Sequence, residues 1–207
     1  MRRKDPELHE RRRSELLAAA EHCFVARGFH RTTIQDIAKA AGVSQGLLYR
    51  YFPDKRSVVV AAAARDNDRL LARIAALRDA PDFVAALRPA LRAILREAMA
   101  PDYVRLATEV LAEACRDPEL AAAFAVGERA VREAWVELLH ERRRLGEVAA
   151  DLDLAAFVDA MTSLIDGLGV RVLLQDSVGT KALEAMLQRF VEIVLLPVGK
   201  VRGSGRR

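Results

Sequence analysis

Six residues between positions 44 and 55 concentrate the recognition chemistry of this 207-residue chain: Ser44, Gln45, Gly46, Tyr49, Arg50 and Lys55. They offer hydroxyls, an amide that can pair two-pronged with a base edge, a guanidinium fork, an ammonium, and one position with no Cβ to keep another backbone away. That set suits phosphates and major-groove base edges. It does not suit bond-making. His9, His22, His30 and His140 lack helical i, i+4 partners of metal-binding type, and no serine lies in a nucleophile-elbow or phosphate-loop context. Asp151 and Asp153 read as helix-start residues rather than as a catalytic pair. The chain is expected to be no enzyme and to carry no cofactor or metal.

Residues 32–55, TTIQDIAKAAGVSQGLLYRYFPDK, must position these groups, and they predict two short helices around a tight turn. Thr33 with Asp36 three residues on forms a capping box, and Ile34, Ile37, Ala38 and Ala41 then follow the i, i+3, i+4, i+7 spacing of one buried face. Gly42 supplies a left-handed C-cap, Val43 plugs the corner, and Ser44 caps the second helix. Leu48 and Phe52 face inward with Val43, which leaves Gln45, Gly46, Tyr49 and Arg50 outward, with Leu47 and Tyr51 beside them. Pro53 ends the helix by disfavouring the α region at Phe52, and Asp54 caps the next one. Lys55 in that helix's first turn opposes the macrodipole, so the sequence argues for an anion there, which a DNA phosphate would supply. The alternative is a plain αα corner, which needs the buried residues but not the outward ones.

Residues 16–58 resemble the DNA-binding domain of TetR-family regulators. The resemblance rests on Phe24, Gly28-Phe29, Thr32-Thr33, Asp36-Ile37-Ala38, Ala41-Gly42-Val43-Ser44, Gly46, Leu48-Tyr49, Tyr51-Phe52 and Lys55 at fixed spacing. Tyr51 stands where histidine is common in that family and Val58 where leucine is usual. From the geometry and the resemblance together, Gln45 and Arg50 are candidate base readers and Leu47 a contact to thymine methyls. Thr33, Ser44, Tyr49, Tyr51 and Lys55 would hold phosphates, and Gly46 would allow close approach.

The net charge of +4 conceals an asymmetry: residues 1–56 carry +5, residues 57–198 carry −5 and residues 199–207 carry +4. A basic head on an acidic body fits a protein that presents one end to nucleic acid. The arm cations at positions 2–4 and 11–13 could reach phosphates or could simply be solvated, and the 198–207 tail reads as a disordered basic segment. Cys23 and Cys115 have no metal-ligand spacing and are expected to be buried, reduced thiols. The basic start is followed by acidic residues rather than an apolar stretch, and the longest apolar run, 58–64, is too short to cross a membrane. These features predict a soluble, cytoplasmic protein with no membrane partner.

Aromatic residues make up 5% of the chain, hairpin signals are absent, and long helical periods fill it, so the expected class is all-α. Nine helices are expected: about 8–27, the two of the corner, then one from 55 through Leu77. The rest cover 83–99, from 101, from 118 to about 144, 152–175 and 180–196. The expected organisation is an N-terminal three-helix helix-turn-helix domain (1–54) joined by a long fourth helix to a C-terminal helical domain (55–197). That second domain would bind a ligand and dimerise.

A ligand pocket is expected among helices 5 to 8, lined by Tyr103, Leu106, Val110, Phe124, Trp135, Phe157 and Met161, although for each of them singly ordinary core packing is the better reading. Arg105, Glu109 and Glu113 read as a solvated i, i+4 ladder. The last two helices carry more apolar residues than one face needs. The resemblance implies a four-helix bundle with a second copy through Val158, Met161, Leu164, Leu168, Leu183, Leu187, Phe190 and Val194. The expected partners are therefore an inverted-repeat operator in double-stranded DNA, a small-molecule effector and a second copy. The expected function is a dimeric, sequence-specific regulator, most simply a repressor released when an effector makes the fourth helix shift. A nonspecific architectural DNA-binding protein, an activator of the same fold, and a carrier or enzyme with a vestigial head are the alternatives.

Overall fold

The computed structural model describes residues 6–174 and 179–196, and among these there are nine helices and no strand. They are α1 (Pro6–Arg27), α2 (Ile34–Ala40), α3 (Gln45–Tyr51), α4 (Lys55–Arg78), α5 (Phe83–Ala98), α6 (Pro101–Ala114), α7 (Pro118–Arg144), α8 (Leu154–Leu174) and α9 (Thr180–Leu195). The all-α expectation holds, with helix ends where the punctuation places them. Gly28, Gly42 and Gly146 take φ of +83°, +65° and +69° after α1, α2 and α7, a conformation only glycine adopts without strain. The cations at 2–4, the break at 175–178 and the tail 198–207 fall outside the described residues. None of the described helices is long and apolar enough to cross a membrane.

The chain packs as two compact units. The first takes residues up to Asp66 together with Arg105–Gly127, and the second takes Asn67–Val104 together with residues from Glu128 onward. A division by packing thus differs from the consecutive one read in the sequence, because part of α6 and the start of α7 join the head. Leu16, Leu17, Phe24, Ile37, Leu48, Phe52 and Val58 form the first core, with Leu120 buried among them and Leu106, Val110 and Phe124 packed alongside. In the second unit Ile74, Leu77, Phe83, Leu95, Leu138, Leu139, Leu154 and Leu195 form the core. There α5 packs on both α8 and α9, and α5 holds its helical course through Pro89.

Three expectations need correction. The apolar positions of α6 group Leu111 with Leu106, Val110 and Ala114, yet Leu111 is 64% exposed, because the other three take the buried stripe. Cys115 is exposed rather than buried, lying just past the end of α6; Cys23 is buried as expected, and burial pushes its thiol up from the ordinary range. Glu109 and Glu113 are not a solvated face but half-buried groups with partners in the first unit.

Candidate nucleic-acid interface

The corner is built by satisfied helix ends. Thr33 Oγ1 accepts the Asp36 N–H at 3.1 Å, and Asp36 Oδ2 accepts the Thr33 N–H at 3.0 Å, so both halves of the capping box are present. The Thr33 hydroxyl also donates to Asp36 Oδ2 at 2.7 Å, and that bond together with the Thr33 N–H, reinforced by the Arg27 guanidinium, holds the Asp36 carboxyl below its usual range. At the other end of α2, Gly42 N–H donates to Lys39 O at 3.2 Å and Val43 N–H to Ala38 O at 3.0 Å, the pair of bonds that closes a Schellman turn. Ser44 then caps α3 by accepting the Leu47 N–H at 3.2 Å. Phe52 takes φ −137°, ψ 108° ahead of Pro53, and Asp54 accepts the Ser57 N–H at 2.7 Å to start α4.

With its ends fixed, α3 points Leu48 into the core, fully buried. Gln45, Gly46, Tyr49 and Arg50 are exposed together, and Leu47 is half-buried at their edge. Nothing approaches within 4 Å of a Cβ built on Gly46, so the fold itself does not require glycine there. Thr33 and Ser44 are exposed as the N-caps of α2 and α3. Tyr51 is half-buried and stacks on His9 with ring centroids 4.6 Å apart, a partnership that no local spacing signals.

Lys55 is a correction. Its ammonium was expected to face an external phosphate; instead it donates to Phe29 O at 2.8 Å and His30 O at 3.3 Å and lies 4.3 Å over the Phe29 ring. Two carbonyls and a ring face thus supply the negative potential that the macrodipole argument demanded. Desolvation draws its pKa down, while the charges of Glu113 and Glu109 act the other way. Its neighbour Arg56 is turned to Asp117 at 2.6 Å.

The seven residues expected to line one pocket fall into separate groups. Leu106, Val110 and Phe124 pack against the first core, whereas Trp135, Phe157 and Met161 pack against the second; Tyr103 is 48% exposed. In the second unit Glu128 and Asp166 are both exposed side chains whose carboxyls are nonetheless pushed up, Asp166 by partial desolvation and Glu128 by partial desolvation and then by the charge of Asp166. The expected interface residues also divide. Val158 and Leu187 are 7% and 2% exposed and belong to the core of the second unit, which corrects their assignment. Met161 and Leu168 pack against that core, Leu183 and Val194 are half-buried, and Leu164 and Phe190 are exposed. Met186 and Ile193, outside the expected interface set, are 57% and 54% exposed and share a face with Phe190 at i, i+4, i+7 spacing.

Comparison with known proteins agrees with this geometry. Residues 16–62 match the family model described as "Bacterial regulatory proteins, tetR family", and residues 83–196 match "BetI-type transcriptional repressor, C-terminal". The HTH-type transcriptional regulator TtgR of Pseudomonas putida is 30% identical over 185 residues, covering 86% of this chain and 88% of that protein. The HTH-type transcriptional repressor AcnR of Corynebacterium jeikeium is 26% identical over 195 residues, covering 94% and 97%. The solved structure of Salmonella enterica GusR superposes with a TM-score of 0.70 at 26% identity, covering 89% of this chain and 95% of that one.

Proposed function

This chain belongs to the TetR family of bacterial regulatory proteins and is a helix-turn-helix transcriptional regulator; from that premise we propose that it is a homodimeric repressor of an inverted-repeat operator, released by a small-molecule effector. The observation that carries the reading is the outward row of α3, where Gln45, Gly46, Tyr49 and Arg50 are exposed side by side on a helix whose ends are capped. Gln45 and Arg50 would read base edges and Leu47 thymine methyls, while Thr33, Ser44, Tyr49 and Tyr51 hold phosphates. Gly46 leaves room for the DNA backbone.

Such a helix reads only a few base pairs, and a two-fold dimer doubles the site, placing two α3 helices in major grooves about 34 Å apart or a multiple of it. The support for a dimer is the row Met186, Phe190 and Ile193 on α9, with Leu164 exposed on α8, since contiguous apolar exposure of this kind marks an association surface. An effector held in the segment 55–197 would favour a state with weaker operator affinity. A coupling of about 1–3 kcal/mol changes that affinity roughly 5- to 150-fold.

Selection of bound duplexes from random DNA at near-physiological salt tests the proposal. Enrichment of a two-fold inverted repeat is expected, and salt-sensitive binding with no enriched sequence would replace the repressor with an architectural protein. With the operator in hand, Arg50→Ala should cost roughly 1–3 kcal/mol and relax specificity at one position of each half-site. Equal losses on operator and random DNA would remove Arg50 from the readers.

A further inference from the structure

Three acidic residues, Glu109, Glu113 and Asp117, recur every four positions along α6 and the turn that follows it. Each meets a different piece of the reading head. Glu109 Oε2 accepts the backbone N–H of Phe29 in a short hydrogen bond. Glu113 Oε1 is 3.6 Å from His30 Nε2. Asp117 takes the Arg56 guanidinium at 2.6 Å and also accepts the N–H groups of Glu119 and Leu120 at 3.1 and 3.2 Å, capping α7.

Phe29 is therefore held through both of its flanking peptides, its N–H by Glu109 and its carbonyl by Lys55. Gly28 makes the approach possible: at φ +83° it carries no Cβ, and one placed there would come within 2.8 Å of Glu109 Oε1. The turn continues through Thr32, which is 1% exposed and whose hydroxyl lies 2.8 Å from Gly28 O and 3.1 Å from Cys23 O. Thr33, the next residue, is the N-cap of α2, and α3 follows from α2 through a two-bond turn. Only four residues, with buried Thr32 anchored among them, separate Phe29 from the first turn of α2, so a displacement of Phe29 bears directly on the entry of that helix.

We propose that Glu109 is a positioning residue for DNA recognition, setting the pose of α2 and α3 by fixing the Phe29 peptide. The inference rests on the operator-binding reading. Charge alone makes the opposite prediction, because deleting a carboxylate from a protein that binds a polyanion favours binding. The sign of the effect therefore separates positioning from bulk electrostatics.

The test uses the full-length protein and the duplex recovered by selection, with Glu109→Ala and Glu109→Gln compared. Glu109→Ala leaves the half-buried Phe29 N–H without its acceptor and should weaken operator binding roughly 5- to 30-fold. The slope of log affinity against log salt should stay at the wild-type value, since no phosphate contact is lost. Glu109→Gln keeps an acceptor oxygen and should recover most of the affinity. Hydrogen exchange without DNA should show the Phe29 amide deprotected in Glu109→Ala and protected in Glu109→Gln. Glu109→Ala binding as tightly as wild type or tighter, or a Phe29 amide equally protected in all three proteins, would overturn the inference. Failure of the wild type to enrich any sequence would overturn the operator reading and this inference with it, whereas normal enrichment with an indifferent Glu109→Ala would overturn this inference alone.

Discussion

The helix-turn-helix corner and the end of α4 solve one problem, the orphan polar groups at helix ends, by opposite means. In the corner every partner is close in sequence: Thr33 with Asp36, Gly42 with Lys39, Val43 with Ala38, Ser44 with Leu47. At the end of α4 the partner comes from far along the chain. Arg142, 7% exposed on α7, donates to the carbonyls of Leu77, Arg78 and Ala80 at 2.8, 2.6 and 3.1 Å. It also pairs with Glu147 at 3.2 Å and lies 5.1 Å over the Phe83 ring. The two helices that must meet DNA have their ends closed by short-range rules, even though their common pose also rests on Glu109 at Phe29. A core that only has to hold together can rest on one long-range clamp.

Removing that clamp should produce the largest change. Arg142→Ala strips three carbonyls and leaves the Glu147 carboxylate without its partner, so a loss of about 3–5 kcal/mol is expected in urea unfolding. A loss under about 1 kcal/mol would mean that water replaces the guanidinium and that the contrast with the corner is false.

Leu48→Ala comes next, opening a cavity at a fully buried site in the first core and costing roughly 2–5 kcal/mol. Arg50, two residues on, is exposed, and Arg50→Ala should leave the unfolding midpoint unchanged while operator affinity falls. If both substitutions shift stability alike, the division of α3 into a buried and a reading face does not hold.

Thr33→Ala should cost about 1 kcal/mol, the ordinary worth of an N-cap, and should show as lost amide protection confined to the first turn of α2. Protection lost throughout the first unit would mean that this cap is not local.

The smallest effect lies in the second unit. Asp166 is exposed, but partial desolvation raises its carboxyl, so the folded protein binds that proton slightly more tightly than the unfolded chain does. Stability from this group is therefore present at acid pH and is lost as pH rises through the raised folded pKa. Asp166→Asn should raise the thermal midpoint slightly at neutral pH, with the gain shrinking toward acid. It should also let the Glu128 carboxyl fall back toward its ordinary value, seen by NMR titration, because Asp166 is one of the two causes that raise it. An unmoved Glu128 would dissolve the pairing.

The fold was readable to a fine grain because its boundaries are written in adjacent residues. Gly28, Gly42, Pro53 and Asp54 each mark an end that depends on a few neighbours only. The site was half readable. The caps and the burial of Leu48 and Phe52 follow from spacing, but the side chain of Lys55 has two possible destinations, a phosphate outside or carbonyls inside. Only the location of Phe29 and His30 distinguishes them. The same holds for α9, where apolar residues surround the helix. Periodicity could not say that Leu187 faces the core and Met186 the outside.

By itself, then, the sequence determined the helices, their caps and the outward row of α3, since hydrogen-bond satisfaction at a helix end and the phase of a short amphipathic helix are nearest-neighbour properties. The tertiary structure alone decided that Lys55 turns inward, that Glu109 reaches Phe29, that Arg142 closes α4 and that Phe190 stays exposed while Val158 does not. Each of those depends on which distant segment packs alongside, and no local spacing encodes it.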